Sequence, residues 1–289
     1  MDEEIAPRPH PRASRLRGKK VIIKFGGSSI GGVGAVEAFA KDIALLVSAG
    51  VRPIVVHGGG PEINEEMRKR GLKVKKVAGL RVTDEATLRV ANEVLASINS
   101  RVVSALKKVN LKSIGMAGAQ CGVLCRKVAP AKAKDEIGRE VMVDLGNVGE
   151  VTGIDPAKIN QLCSDGMIPV IFPICVTREG EAMNVNADTV AAHIARAVKA
   201  EELVLVTDVP GIMRELGRET SLIKELTSSE LDELINTGAV SDGMIPKVEA
   251  CRLAVKGGVK AAHLVSGKEK DSIVNQLLSG DSVGTRITA

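Results

Sequence analysis

Five groups of residues in this chain have the types and spacing to act on an anionic substrate. Lys24 stands just before Gly26-Gly27, at the end of an apolar run. His57-Gly58-Gly59-Gly60-Pro61 follows a second apolar run, with Pro61 placed as the first residue of a helix. Asn184-Val185-Asn186-Ala187-Asp188 sets two amides and a carboxylate on a short turn feeding a helix, and Lys247 closes Gly243-Met244-Ile245-Pro246. A third glycine loop, Thr207-Asp208-Val209-Pro210-Gly211, ends another apolar run. Glycine amides approach anions closely, and a helix start adds partial positive charge. Taken singly, each group has a structural explanation. The glycines suit tight strand-to-helix turns, Asn186 suits a helix cap, and Asp188 suits a first-turn acid. His57 reads as a polar strand end rather than a base. Two Gly-Gly loops at the ends of buried strands point together to a phosphate site.

Other chemistries lack their residues. Ser266-Gly267-Lys268-Glu269 has neither the hydroxyl residue nor the upstream glycine of a Walker loop. Gly31-Gly32-Val33-Gly34 lacks the third glycine of a dinucleotide fingerprint. His10, His57, His193 and His263 are scattered, so no metal-ligand cluster is expected, and no GxSxG elbow occurs.

Elements that could position these residues are legible. Val21–Ile23, Pro53–Val56, Ile168–Ile171 and Leu203–Val206 are apolar on consecutive positions, the pattern of strands buried on both faces of a parallel sheet. Amphipathic stretches at Val36–Ser48, Pro61–Arg70, Glu85–Lys108, Ala187–Lys199 and Lys247–Lys256 alternate with them and predict crossover helices. Asp144–Val151 reads as a tight hairpin or loop, and the polar turn at Thr177–Glu181 as a seam between lobes. Residues 1–18, rich in Pro and Arg, read as a flexible basic tail. No repeat is visible.

Composition narrows the class. The 289 residues are 44% apolar and 26% charged with net charge +5, an ordinary globular balance. Three Phe and no Tyr or Trp leave nothing on which to stack bases, so nucleic acid is not an expected partner. No apolar run reaches a membrane span and no signal core follows Met1, which together predict a cytoplasmic protein without membrane contact. Cys121, Cys125, Cys163, Cys175 and Cys251 form no CxxC pair and read as buried free thiols.

The motifs Lys24–Gly27, His57–Pro61, Gly79-Leu80-Arg81-Val82-Thr83, Gly149-Glu150-Val151, Asn184–Asp188, Thr207–Gly211 and Gly243–Lys247 occur in the order found in the amino acid kinase family, which the chain resembles from residue 19 to 289. The resemblance is strongest to the branch acting on N-acetyl-L-glutamate. It implies a three-layer αβα sandwich with a mostly parallel central sheet, in two lobes: residues 19–176 for the amino acid and 177–289 for ATP. The implied reaction moves a phosphoryl group from ATP, with Mg2+ carried on the nucleotide, to the side-chain carboxylate of N-acetyl-L-glutamate. Lys24 and Lys247 would then contact the group in flight, with Asp188 orienting them and Gly27 and Gly59 donating amide hydrogen bonds. Gly59 and Gly60 would line the substrate pocket, and Arg81 and Asn184 would grip the α-carboxylate. Thr207, Asp208, Val209, Pro210, Gly211 and Met213 would shape the nucleotide site. A carboxylate nucleophile needs no general base, which agrees with the lack of a convincing one.

Three alternatives stand beside this reading. Lys24-Phe25-Gly26-Gly27-Ser28-Ser29 is similar to aspartokinases, although 289 residues leave no room for their regulatory domains. A kinase for a carrier-linked or free homologue such as aminoadipate differs by one methylene, a discrimination that motifs do not record. A non-catalytic sensor on the same fold would predict erosion at Lys24, Asp188 or Lys247, and none is eroded. Arginine-inhibited hexamers of the family resemble one another in an apolar N-terminal helix. Residues 1–18 here offer only Ile5 and Leu16 as large apolar residues. His263 and Gly284-Thr285 match the arginine-sensitive pattern, while Gln276 and Ser282 stand where it has Glu and Gly. A homodimer with weak or no arginine inhibition is the expectation.

Overall fold

The structure is a computed structural model describing residues 13–26, 32, 34–77, 79–134, 139–215, 218–238, 240, 243–279 and 282–289. A helical turn, α1 (Ala13–Leu16), leads into β1 (Lys20–Phe25), α2 (Ala35–Ser48), β2 (Arg52–His57) and α3 (Gly60–Lys69). The ribbon of β3 (Lys76–Val77) and β4 (Leu80–Arg81) precedes the long α4 (Glu85–Lys108). Five strands follow: β5 (Ser113–Ala117), β6 (Val123–Lys127), β7 (Ala131–Lys134), β8 (Glu140–Val143) and β9 (Val148–Ile154). After α5 (Ala157–Ser164) come β10 (Ile168–Phe172), β11 (Ile174–Val176), β12 (Ala182–Val185), α6 (Ala187–Ala197) and β13 (Glu202–Thr207). The chain ends with β14 (Glu225–Thr227), α7 (Ser228–Asn236), α8 (Ile245–Lys256), β15 (Ala261–Ser266), α9 (Ser272–Leu278) and β16 (Thr285–Thr288).

Eight strands form the main sheet in the order β14-β16-β15-β13-β1-β2-β10-β5, and only β15 and β16 pair antiparallel. The strands read as apolar runs because both faces are covered. Val21, Ile23 and Phe25 enter one core with α2, α4 and α9, while Ile22 enters the other with α6 and α8. Those three layers are the expected sandwich. From β1 the chain passes to β2 on one side and later to β13 on the other, which makes the carboxyl edge of β1 the topological switch point. Strands β6, β9, β11 and β12 close a small barrel beside the sheet. Its core holds Cys121, Cys125 and Cys175, and all five cysteines are free and buried.

Local chemistry explains where elements start. The Asp84 side chain accepts from Thr87 N and caps α4, and Thr227 with Glu230 forms a capping box on α7. The Asp144–Asn147 segment is a turn that enters strand β9 rather than a hairpin of its own, since β9 pairs with β6 and β12. The polar turn at 177–181 joins β11 to β12, closed by Thr177 N donating to Glu181 O. Residues 1–12 of the expected tail lie outside the described residues. Residues 13–18 are held against the fold: Leu16 is fully buried and the Arg15 guanidinium pairs with the buried Glu202. No helix among the described residues is long and apolar enough to cross a membrane.

One buried carboxyl couples two helices of the same layer. Asp42 of α2 is buried, and burial together with the charge of Asp271 pushes its pKa up to about 6, against a hydrogen bond from the Ile273 amide. A raised acid pKa means that the folded state prefers the proton. This contribution is complete below the ordinary value near 3.8 and is lost as pH rises through about 6. Asp42→Asn keeps an acceptor for Ile273 and never ionises. We expect it to melt above wild type at pH 8, with the difference shrinking as pH falls towards 4. A Tm difference independent of pH would contradict the burial of an ionising Asp42.

Candidate active site

The parallel register brings distant residues to one edge. Lys24 of β1 lies beside Val56 of β2 and Leu205 of β13. Side chains alternate along a strand, so Lys24 shares the face of Ile22, where α6 packs. That helix opens at Asn186, whose side chain accepts from Asp188 N at 2.8 Å and Thr189 N at 3.1 Å. The cap sets Asp188 in the first turn, where its Oδ1 lies 2.8 Å from Lys24 Nζ. Both residues are only 7% exposed. A buried ion pair of this kind is costly to break on one side only.

The second glycine loop opens α3. A Cβ on Gly59 would overlap Ile98 Cδ1 and come within 3.2 Å of Leu95 Cδ2, so glycine lets this backbone lie against α4 without displacing either side chain. Arg81 arrives from the β3–β4 ribbon. Its buried guanidinium donates to Gly60 O at 3.1 Å and points at Met67 Sδ at 3.2 Å. Burial pushes its pKa down, yet guanidinium remains charged. Among the described residues no carboxylate pairs with it. Asn184 Nδ2 makes a long hydrogen bond to Thr83 Oγ1 at 3.4 Å, and Thr83 Oγ1 in turn donates to Arg81 O at 2.8 Å.

Lys24, Gly59, Gly60, Arg81, Asn184 and Asp188 line one cavity of about 340 Å³, and Lys247 lines it as well. This volume suits a small ligand. Lys247 sits in the first turn of α8 and turns its ammonium back to Gly243 O at 3.2 Å. The two lysines, far apart in sequence, therefore face one space. Lys76 and Asn64 also line it, and both lie outside the sequence motifs named above. Lys76 is hidden among Lys73 and Lys75 in a solvated run. Asn64 gave a signal, since it stands one helical turn after Gly60 and shares its face.

The remaining expected residues lie elsewhere. Gly27 falls outside the described residues. Thr207, Asp208, Val209, Pro210, Gly211 and Met213 do not line the cavity. They continue from the carboxyl end of β13, on the same edge of the sheet as Phe25 and His57. Thr207 Oγ1 donates to Val209 O at 2.8 Å and accepts from Val209 N at 3.0 Å, which folds this segment into a local turn. Met213 bridges to Leu222. Among the described residues no group of three or more His, Cys, Asp or Glu side chains is placed to hold a metal.

His57 is a strand end rather than a base facing the cavity. It is fully buried, and neither ring nitrogen is free: Nδ1 lies 3.0 Å from Gly58 O and Nε2 lies 3.0 Å from Asn99 Nδ2. Burial pushes its pKa down to about 4, and Arg101 and Lys24 act in the same direction against the Gly58 hydrogen bond.

Removing one member of the buried pair tests this geometry. Asp188→Ala leaves the Lys24 ammonium buried and unpaired and should cost about 3–5 kcal/mol of stability. The double variant Lys24→Met with Asp188→Ala should recover part of that loss in denaturant titrations. Equal stability of both would mean that the pair is solvated.

Comparison with known proteins gives this arrangement its relatives. Acetylglutamate kinase of Methanocaldococcus jannaschii is 43% identical over 286 residues, covering 99% of this chain and 95% of the relative. Acetylglutamate kinase of Nitrosospira multiformis is 39% identical over 279 residues, covering 96% of this chain and 94% of that one. Among solved structures, N-acetylglutamate synthase of Neisseria gonorrhoeae complexed with coenzyme A and N-acetyl-glutamate superposes with TM-score 0.83 at 23% identity. That match covers 96% of this chain, which spans 61% of the synthase chain. Carbamate kinase of Giardia lamblia bound to AMP-PNP matches with TM-score 0.69 at 17% identity, covering 94% of this chain and 98% of that one. At these identities the two structures speak for the fold. The amino acid kinase family model matches residues 19–266, and with two relatives near 40% identity over almost the whole length, the chain belongs to the amino acid kinase family.

Proposed function

We propose that this protein transfers a phosphoryl group from ATP to the side-chain carboxylate of N-acetyl-L-glutamate, giving N-acetyl-L-glutamyl 5-phosphate for arginine biosynthesis. The observation that carries the reading is a coincidence. Near-full-length likeness to acetylglutamate kinases falls on a chain in which Lys24, Arg81, Asp188 and Lys247 line the same cavity.

The residue roles follow from charge. Acceptor carboxylate and triphosphate repel each other, and the acceptor arrives already ionised, so no proton has to be removed. What the site must supply is alignment and positive charge over the migrating group. Arg81 is a buried cation with a sulfur and a carbonyl for partners, and a forked contact to the substrate's α-carboxylate completes it. Asn184 adds a donor beside it. Lys24, held by Asp188, meets the group in flight from one side, and Lys247 leaves Gly243 O to meet it from the other. The Gly59 and Gly60 amides, and Gly27 in the first loop, complete the cradle. Residues 19–176 would hold the acyl amino acid and 177–289 the nucleotide, with Thr207–Gly211 and Met213 shaping the latter's site. Magnesium would arrive on the nucleotide and offset phosphate charge there.

Free buried cysteines and an ATP-consuming reaction suit the cytoplasm, which is the proposed location. The proposed assembly is a homodimer with weak or no inhibition by arginine. Gln276 Nε2 lies 3.0 Å from both His263 Nδ1 and Ser282 Oγ, and Glu202 in that network already carries Arg15.

Hydroxamate assays of acyl-phosphate formation, run with N-acetylglutamate, aspartate and aminoadipate derivatives, test the substrate. N-acetylglutamate should be the preferred acceptor, and preference for another overturns the reading. Lys24→Ala and Lys247→Ala should each lose roughly 2–4 kcal/mol of transition-state stabilisation. Turnover within about threefold of wild type would defeat their assignment. Arg81→Lys should raise KM for the acyl amino acid about 10- to 150-fold, the worth of a charged hydrogen bond. Light scattering should give a dimer, and the same assay should be insensitive to arginine. A hexamer, or strong inhibition, would contradict the proposed regulation.

A further inference from the structure

Helix α4 does more than cover the sheet. Leu95, Ile98 and Asn99 share one of its faces, and all three bear on the second glycine loop or its support. Leu95 and Ile98 stand against Gly59. Asn99, 5% exposed, donates Nδ2 to Val170 O of β10 at 2.9 Å and to His57 Nε2 at 3.0 Å. Two acceptors on one atom fix that atom as the amide nitrogen, so the carboxamide has a single sensible orientation. His57 Nε2 is then an acceptor, and Nδ1 carries the proton that it donates to Gly58 O at 3.0 Å. On the other side, Gly58 N donates to Phe25 O at 3.1 Å. The Gly58 residue is thus pinned by both of its backbone polar groups just before the amides of Gly59 and Gly60.

The carboxamide also needs space. A Cβ on Gly115 of β5 would overlap Asn99 Oδ1. Gly115 is the exposed middle residue of β5, the edge strand of the sheet, and glycine inside a strand forgoes packing and adds entropy to the unfolded chain. The glycine here makes room for a polar side chain whose contacts run, through one imidazole, to the loop beside the cavity. His57 does not line that cavity, so this chain of contacts sets geometry and moves no proton.

We propose that Asn99, acting through His57, is a positioning residue that fixes the Gly58–Gly60 backbone for phosphoryl transfer. The proposal rests on the reading that this loop receives the transferring group. It separates holding the acyl amino acid, a task of Arg81 and Asn184, from aligning the group in flight.

Nitrogen-15 spectra of the wild-type histidine rings test the geometry without any substitution. His57 should show a protonated Nδ1 and a bare Nε2, unchanged between pH 8 and pH 6. The opposite tautomer, or titration in that interval, overturns the proposal. Asn99→Leu and His57→Phe should each lower kcat about 10²-fold, the cost of a misplacement near 1 Å, with KM for N-acetylglutamate within about threefold. The double variant should be no worse than the poorer single one, because both act through one contact chain. Additive losses, or a rise in KM alone, would defeat it. Should Asn99→Leu fail to fold, Asn99→Ser keeps a donor in less volume and should show a smaller kcat loss, with unchanged kcat counting against the proposal. Calorimetric binding of N-acetylglutamate separates the two readings. Wild type that neither binds nor turns it over sinks both. Normal wild-type turnover with unchanged kcat in the variants sinks this one alone.

Discussion

A primary ammonium held 7% exposed at the end of a buried strand governs this architecture. Lys24 loses most of its hydration, and the carboxylate of Asp188 at 2.8 Å compensates it. To bring that carboxylate there, α6 must begin at Asn186, its first turn must face β1, and its apolar side must pack on the sheet through Val190, Ala191 and Ile194. The pair thus fixes the distance between a layer of helices and the centre of the sheet. It also leaves one strong cation facing a cavity at the switch point, where strand direction and topology open a crevice in any case.

Much of the fold was legible because burial writes itself into strand composition. Val21–Ile23, Pro53–Val56, Ile168–Ile171 and Leu203–Val206 each lie within a central strand of the main sheet, and Glu85–Lys108 matches α4 at both ends. Those strands have helices on both faces, so the runs beneath the helices are apolar while Lys24, His57 and Glu202 stand at strand ends. The expectation failed where strands are partly exposed or built of small residues. Ala261–Ser266, with Ala-Ala-His-Leu-Val-Ser, is as buried as its neighbours, but its alanines are equally at home in a helix. The strands of the barrel formed by β6, β9, β11 and β12 mix buried with more exposed positions and carry no continuously buried run like those of the central strands. The helical turn at Ala13–Leu16 depends on two long-range contacts, Leu16 with the core and Arg15 with Glu202, which no local pattern encodes.

The candidate site divides in the same way. Lys24, Gly59, Arg81, Asn184, Asp188 and Lys247 sit in ordered motifs, and all meet at one cavity. Their spacing along the chain follows from the crossovers that return each strand to the same edge. Asn99 gave no such signal. It stands mid-helix among Ser97, Ile98 and Ser100, and its partners are a strand-end histidine 42 residues earlier and a carbonyl 71 residues later. Groups that touch ligands recur with glycines and caps beside them, whereas groups that hold other groups in place are legible only in three dimensions.

Hydrogen-bond satisfaction separates the two ends of the sheet. At the amino end of β13, Glu202 is fully buried with Arg15 on one oxygen and His263 on the other, and His263 passes the contact to Gln276. Burial pushes the Glu202 carboxyl upwards, but His263, Arg15 and Arg286 outweigh it and hold it below the usual range. Gln276 Oε1 in turn accepts from Gly284 N at 2.9 Å. This network asks for nothing further. At the carboxyl edge, the two oxygens of Glu62 and the Oδ1 of Asn64 are buried with no hydrogen-bond partner among the described residues. The Arg81 guanidinium makes do with a sulfur and a carbonyl. Buried polar groups are costly when unmet, so each one calls for a physical reason. The amino edge is built as structure, whereas at the carboxyl edge two groups lining the cavity keep capacity for a ligand, Asn64 Oδ1 as an acceptor for an N–H and the Arg81 guanidinium as a donor to a carboxylate.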